Sequence, residues 1–536
     1  MRLKKLKIAH AGGLGGLLNG LDVWMGRPDG PECNEHLTPL CVIGPNGSGK
    51  SQFLQLIAEI FQSAWNAYDS EVERRPSNTD ALFELEYSVC LDGENNPVQV
   101  KLARYAKGKS VGPIEMSVLK NEEWQGLTVS SKDFAKHLPS VVIGYTSGDN
   151  ETLSLPFMVS RAGYADAVAT AALGQIDAAP PTDNRTLQID YGTNLEVLFA
   201  NLVLSSEEVR KSILEHARLK DIASCRCIVR LAHSAVRRAP AKAKRKSGRK
   251  GIQLTQELEE ILNRLKRSAT CWNEDEKTES YVFDFHVDSA TRAAFKHFFK
   301  TSFELYRALH KFALLNDLAI PRVARKRLDK AVSERKFASR LPEPQQEDLV
   351  FGFEEVRFHS AKSNNAEVVD YVALSDGEHQ QALILGLFSM IRDQNALFIL
   401  DEPESHFNPQ WRVQFAKRLL GLPGDRGEQE VLLTSHAPFV PADLSREQVL
   451  VFARDGDNIA VDNPQIETYG ANFDRILEHC FDVRPPLSQL ARDDIKDLLE
   501  SDSIEDLEEA MDRLGSSVEK SFVADRLRQL KKAQAK

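Results

Sequence analysis

"LCVIGPNGSGKSQFLQLI", residues 40–57, decides the fold. The apolar run Leu40-Cys41-Val42-Ile43 reads as a buried strand. After a glycine-rich loop, Phe53, Leu54, Ile57, Ile60 and Phe61 recur with helical period. The loop itself, Gly44-Pro45-Asn46-Gly47-Ser48-Gly49-Lys50-Ser51, fits G-x-x-x-x-G-K-[ST] at every position and sits between strand and helix, as that motif requires. Its glycines let backbone N–H groups turn toward a phosphate, and the helix N-terminus adds partial positive charge. Lys50 is placed to neutralise β/γ-phosphate oxygens, Ser51 to offer its hydroxyl to Mg²⁺, and Gln52 to extend the contact set. These residues predict an α/β fold that binds a nucleoside triphosphate such as ATP.

Two later segments supply the rest of such a site. Leu397-Phe398-Ile399-Leu400-Asp401-Glu402-Pro403-Glu404 reads as a fully apolar strand ending in acids, and ligands bind at the carboxyl ends of buried parallel strands. Asp401 is placed for the Mg²⁺ shell, and Glu402 to take a proton from the attacking water. Val431-Leu432-Leu433-Thr434-Ser435-His436 is a second apolar strand, ending in a histidine suited to the γ-phosphate or the water. Between loop and acids, Ser375 and Gly377 open an apolar helix. A serine hydroxyl, a glycine N–H and a helix dipole make an anion-binding tip. Since residues 44–51 already cradle the phosphates, this tip is expected to face the nucleotide of another subunit, giving a two-fold sandwich.

Composition narrows the setting. With 42% apolar and 27% charged residues the chain is ordinary globular protein, and its net charge of −10 excludes global attraction to nucleic acid. No window is apolar enough for a membrane span, and the start, MRLKKLKIAH, lacks the apolar run of a signal peptide. The seven cysteines show neither pairing nor zinc spacing, so they read as reduced packing residues of a cytoplasmic protein.

Four regions are expected. Residues 1–149 form the first half of the nucleotide-binding head, with period-two segments FELEYSV, VQVKLARY, IEMSVL and VVIGY making an antiparallel lobe. Residues 150–345 form a mainly helical insertion, with one helix through Leu254–Leu265 and a longer one over about 289–315. Residues 346–465 complete the head, and 466–536 form a helical tail with ten acids against one lysine between Asp493 and Asp512. Within the insertion, 237–251 (RRAPAKAKRKSGRKG) carries eight basic and no acidic residues. It reads either as a contact for DNA or RNA phosphates or as a solvated loop.

GPNGSGKS, LSDGE (374–378), LFILDEPE and TSHAPF (434–439) stand in the order found in ABC-type ATPases. Together they resemble the soluble SMC/RecF/Rad branch. "DEPESHFNP" and "TSHAPF" are most similar to OLD-type ATPases and their relatives in bacterial restriction and anti-phage loci. The resemblance implies a split ATPase head, an ATP-sandwich homodimer or higher oligomer, and control of a partner effector such as a nuclease encoded nearby. RecF-like DNA repair, or a scaffold that nucleotide only stabilises, are its alternatives. The signature departs from the usual LSGGQ at Asp376 and Glu378, and the expected Q-loop, Tyr145–Glu151, has no glutamine; Ser147, Asn150 or Glu151 are its candidate substitutes. Asp455-Gly456-Asp457 superficially fits a Toprim nuclease but reads better as a hairpin turn, so no intrinsic nuclease is expected.

Overall fold

The computed structural model describes all residues except 14, 27–36, 93, 95, 149–150, 175–179, 190–192, 233–250, 336–343, 362–367, 423–427, 457 and 535–536. The basic stretch 237–250 and the Q-loop candidate Asn150 therefore lie outside the described residues. The chain divides into two units, Met1–Tyr469 and Gly470–Lys536.

The first unit opens with β1 (Arg2–His10), β2 (Asp22–Trp24), β3 (Leu40–Ile43) and α1 (Lys50–Tyr68). Then come β4 (Leu82–Val89), β5 (Val98–Lys107), β6 (Ser110–Lys120), β7 (Glu123–Leu127), α2 (Lys132–Lys136) and β8 (Val142–Thr146). After α3 (Glu151–Gly174), β9 (Thr186–Ile189), α4 (Asn194–Leu204) and α5 (Glu207–Leu214), the chain runs through β10 (Leu219–Arg230), α6 (Gln256–Ser268), β11 (Cys271–Asp275) and β12 (Ser280–His286). Helices α7 (Ser289–Phe298), α8 (Ser302–Leu314) and α9 (Arg322–Ser333) lead to β13 (Phe351–Ser360) and β14 (Val368–Asp370). The unit closes with α10 (Asp376–Met390), β15 (Leu397–Asp401), α11 (Pro409–Leu420), β16 (Glu430–Thr434), β17 (Val449–Asp455) and β18 (Asn458–Asp462).

The central sheet has the order β18-β17-β3-β16-β15-β8-β9. All neighbours run parallel except the β17/β18 hairpin. β3, β15 and β16 are buried at every residue, which is why they read as unbroken apolar runs rather than alternating ones. Because β16 lies between β3 and β15, the phosphate loop and the acids leave the same sheet edge one strand apart. β1, β2 and β4–β7 form an antiparallel sheet whose apolar face shares a core with α1. Within that core Phe53 meets Phe452 edge-on, centroids 5.2 Å apart, and Phe61 meets Tyr87 at 5.4 Å.

Two expectations change, and a third gains detail. VVIGY does not belong to the antiparallel lobe: β8 is a parallel strand between β15 and β9. The mainly helical span 150–345 also carries strands. β9 extends the central sheet, and β10–β12 join β13 and β14 in an antiparallel sheet ordered β11-β12-β10-β13-β14. The alternation of buried Tyr281, Phe283 and Phe285 drives this, since every second residue of a strand faces the same side. The helix expected over 289–315 breaks at Thr301, whose hydroxyl caps α8 by accepting the Glu304 N–H. The Asp-Gly segment is indeed a hairpin, with Asp455 opposite Asn458 and Gly456 at φ +60°.

The second unit contains α12 (Phe473–Cys480), α13 (Gln489–Glu500), α14 (Ile504–Arg513) and α15 (Val518–Gln534), the last three around buried Ile495, Leu507 and Val523. Among the described residues no helix is long and apolar enough to cross a membrane.

Candidate functional site

The phosphate loop turns between β3 and α1 on backbone angles that need glycine. Gly44 has φ +140°, and a Cβ there would sit 2.2 Å from the Phe452 carbonyl oxygen. Gly49 (φ +88°) would press its Cβ to 2.6 Å from Ile459 Cδ1, with Leu17 and Leu18 just beyond. Any other residue type would push the loop off β17 and β18. No side chain caps α1, so the N–H groups of its first turn are left to a ligand. The Lys50 ammonium folds back on the Gly44 and Pro45 carbonyls at 2.9 Å each. Burial pulls its pKa down to about 8, against the attraction of Asp401 and Glu402. The Ser48 hydroxyl and the Gln52 Oε1 are buried with no protein partner. Such orphaned polar atoms, one beside an uncapped helix start, are what a cradle for a triphosphate would show. Pro45, Asn46 and Gly47 form the exposed outer rim.

Across the sheet edge, Asp401 is 3% exposed. Burial raises its pKa, opposed by hydrogen bonds from Thr434 and Ser51. The Asp401–Ser51 pair brings the two expected Mg²⁺ ligands together. Among the described residues no cluster of three or more His, Cys, Asp or Glu side chains could hold a metal ion. Mg²⁺ binds through one or two protein ligands together with substrate phosphates and water, and a paired serine hydroxyl and carboxylate are ligands of that kind.

Glu402 takes a left-handed backbone, φ +49°, and its N–H donates to Thr434 Oγ1 at 3.0 Å. Its carboxylate meets His436 Nε2 at 2.8 Å, both side chains about one-third exposed. The hydrogen bond from His436 holds the Glu402 carboxyl below its usual range, against partial desolvation. Thr434 is thus the hub: its hydroxyl accepts from the backbone of one acid and donates to the side chain of the other. Sequence reasoning missed it, although the threonine stands in the quoted TSHAPF.

A third acid was also passed over. Glu404 is 2% exposed; one carboxyl oxygen accepts from the Ser435 hydroxyl and the other has no partner. Burial pushes its pKa up to about 7. Tyr145, on neighbouring β8, is hydrogen-bonded to Gln380 of α10 and lies within electrostatic reach of Glu404. In the Q-loop candidate, Ser147 donates its N–H to the Asp401 carbonyl at 3.3 Å, and its own carbonyl is bonded by His406.

Ser375 is the exposed N-cap of α10, and among the described residues its side chain bonds only Glu378. The Glu378 carboxylate accepts from both the Ser375 N–H and its hydroxyl, at 2.9 Å each. This is the reciprocal geometry of a capping box and gives the acid a local reason to be there. Gly377 packs where a Cβ would lie 3.2 Å from the His406 carbonyl oxygen and 3.3 Å from the Trp411 ring. Thus Lys50, Ser51, Asp401, Glu402 and His436 converge in one chain, while Ser375 and Gly377 open α10, ahead of the acid strand, with Gly377 packed against the segment that follows that strand.

Residues 245–443 match the family described as "AAA domain, putative AbiEii toxin, Type IV TA system". That span includes Ser375, Asp401, Glu402 and His436 but not the phosphate loop. Among solved structures, the SMC head domain from Thermotoga maritima is 12% identical, over 87% of this chain and 100% of that one, with a TM-score of 0.33. An SMC head bound to the C-terminal winged-helix domain of ScpA is also 12% identical, over 87% and 98%, with a TM-score of 0.32. A search of curated proteins gives no match.

Proposed function

We propose that the chain is a cytoplasmic, Mg²⁺-dependent ABC-type ATPase that dimerises through bound ATP. In this reading it is the sensor and regulator of an anti-phage or restriction-associated system and controls a partner effector nuclease. The observation that carries the catalytic part is the Thr434 hub, which fixes Asp401 beside Ser51 and Glu402 against His436. The triphosphate lies along the uncapped start of α1, and Lys50 exchanges the two loop carbonyls for phosphate oxygens. Ser51 and Asp401 hold Mg²⁺, which when bound neutralises charge on the phosphates. Glu402 is kept ionised at neutral pH and so is ready to accept a proton from water, with His436 orienting it.

The dimer is supported by the placement of Ser375. Its hydroxyl is exposed at a helix start, available to a second subunit's nucleotide once Glu378 gives it up. ATP then binds the paired state better than the separate one, and hydrolysis releases it. The defence setting is supported by the motif order and by the match to a family described as a toxin of a toxin–antitoxin system.

Glu402→Gln is the test. The variant binds ATP, loses turnover and accumulates as an ATP-bound dimer by light scattering. Hydrolysis at the parent rate would refute Glu402 as the base.

A further inference from the structure

Helix α9 and the two residues after it carry six basic and two acidic side chains, in a chain whose net charge is −10. Lys326, Arg327 and Lys330 are exposed; Lys330 faces Glu334 at 3.7 Å. They occupy about 6 Å of helix axis, dense enough in charge for a polyanion rather than a single small ion.

The rest of α9 is committed to the ATPase head. Leu328 packs against Leu155 and Val159 of α3, the helix that follows β8 and the Ser147 loop. Just before α9, Asp317 takes a two-pronged hydrogen bond from Arg161 of α3 at 3.0 and 3.1 Å. Just after it, Arg335 pairs at 2.7 Å with Glu59 of α1 and donates to the Ser77 carbonyl at 2.5 Å. A helix so fastened holds the backbone under these cations in a fixed array, so that no backbone ordering opposes binding.

We propose that α9 is a docking surface for the phosphate backbone of a nucleic acid. Charge complementarity selects the partner. A bilayer is disfavoured because Leu328 is used against α3, leaving Val323, 72% exposed, as the one exposed large apolar side chain of α9 among the described residues. A surface without aromatic side chains among its exposed cations reads phosphates and not bases. The inference deepens the sensor reading above by naming what is sensed and where it docks. Leu328 ties α9 to α3, and Arg335 just after it ties the chain to α1, the helix that starts at the phosphate loop, so a bound polyanion can act on both.

The experiment is fluorescence anisotropy of the full-length protein, without ATP, against labelled duplex DNA, single-stranded DNA and RNA across a KCl series. Omitting ATP keeps the outcome independent of whether the chain hydrolyses it. The parent binds at least one probe, and the triple variant Lys326→Glu/Arg327→Glu/Lys330→Glu weakens that binding at least about tenfold. For duplex DNA the slope of log K against log salt becomes shallower by about 3, since each lost phosphate contact removes about 0.9. Parent-like binding by the triple variant overturns the proposal. So does binding lost only in Lys244→Glu/Arg245→Glu/Lys246→Glu, or a parent that ignores all three probes while binding phosphatidylserine vesicles or an acidic peptide.

Discussion

Replacing Glu404 by glutamine tests whether a buried acid near Glu402 and His436 carries a proton at neutral pH. Its carboxyl is 2% exposed, has one unpartnered oxygen, and titrates at about 7 instead of the usual 4.5. Glu402 adds repulsion and Arg412 some relief, and Tyr145 is the remaining titratable neighbour. The folded-state value lies above the unfolded one, so below pH 4.5 both states are protonated and ionisation makes no difference. Between pH 4.5 and 7 the unfolded chain releases its proton while the folded one keeps it, and stability falls as pH rises. Above pH 7 the loss is complete, and a difference of 2.5 units corresponds to about 3 kcal/mol. Glutamine keeps the acceptor for Ser435 but cannot ionise; its amide, lacking a partner, costs about 1–3 kcal/mol at every pH. Melting of parent and Glu404→Gln by scanning fluorimetry from pH 4 to 9 therefore gives a difference that moves in the variant's favour between pH 4.5 and 7 and then levels off. A difference that is flat over that interval would refute the reasoning, whatever its sign.

Other outcomes follow from the same geometry. Nucleotide affinity weakens as pH rises through about 8, because Lys50 loses its proton there in the free protein; Lys50→Met abolishes that dependence along with ATP-induced stabilisation, and a pH-independent Kd in the parent contradicts it. Arg335→Ala leaves the fully buried Glu59 with neutral partners alone, Gln55 and Asn78, and costs about 3 kcal/mol in denaturant unfolding, and adding Glu59→Gln recovers most of it; equal losses in both variants would show the ion pair to be irrelevant. Gly44→Ala, with its Cβ 2.2 Å from the Phe452 oxygen, gives protein that no longer binds a fluorescent ATP analogue, whereas Gly47→Ala, with open space around it, loses less. Ser375→Arg leaves binding of that analogue intact but prevents ATP-dependent dimerisation by light scattering; a dimer that still forms removes Ser375 from the interface.

The core of the site was legible because each part is local. A phosphate loop, an acid-ended strand and a histidine-ended strand are short runs in which side chain and backbone context lie within a few residues. What joins them is not local. The Thr434 bonds to Asp401 and Glu402 depend on β16 lying between β3 and β15, and strand order is invisible in any one run. The same holds for β8, whose apolar VVIGY fits a lobe strand as well as a core strand until its partners are known. In the insertion, period two at Tyr281, Phe283 and Phe285 was present in the sequence, but β10 pairs with β13 more than a hundred residues away. Glu404 was overlooked because an acid following Asp-Glu-Pro gives no sign of burial; only packing against Ser435 reveals it.

The order β17-β3-β16 has a consequence for biosynthesis. β3 leaves the ribosome almost four hundred residues before either strand that flanks it, β16 or β17. At elongation rates of about 5–20 residues per second that interval lasts roughly 20–80 s, during which both edges of an apolar strand lack their mates. The nascent chain is thus a natural client for chaperones, and a prematurely terminated product would present sticky edges to its neighbours. The phosphate loop meets the Asp401 and Thr434 ends of β15 and β16 only once those strands have been made, so a copy truncated before them lacks half of the candidate site.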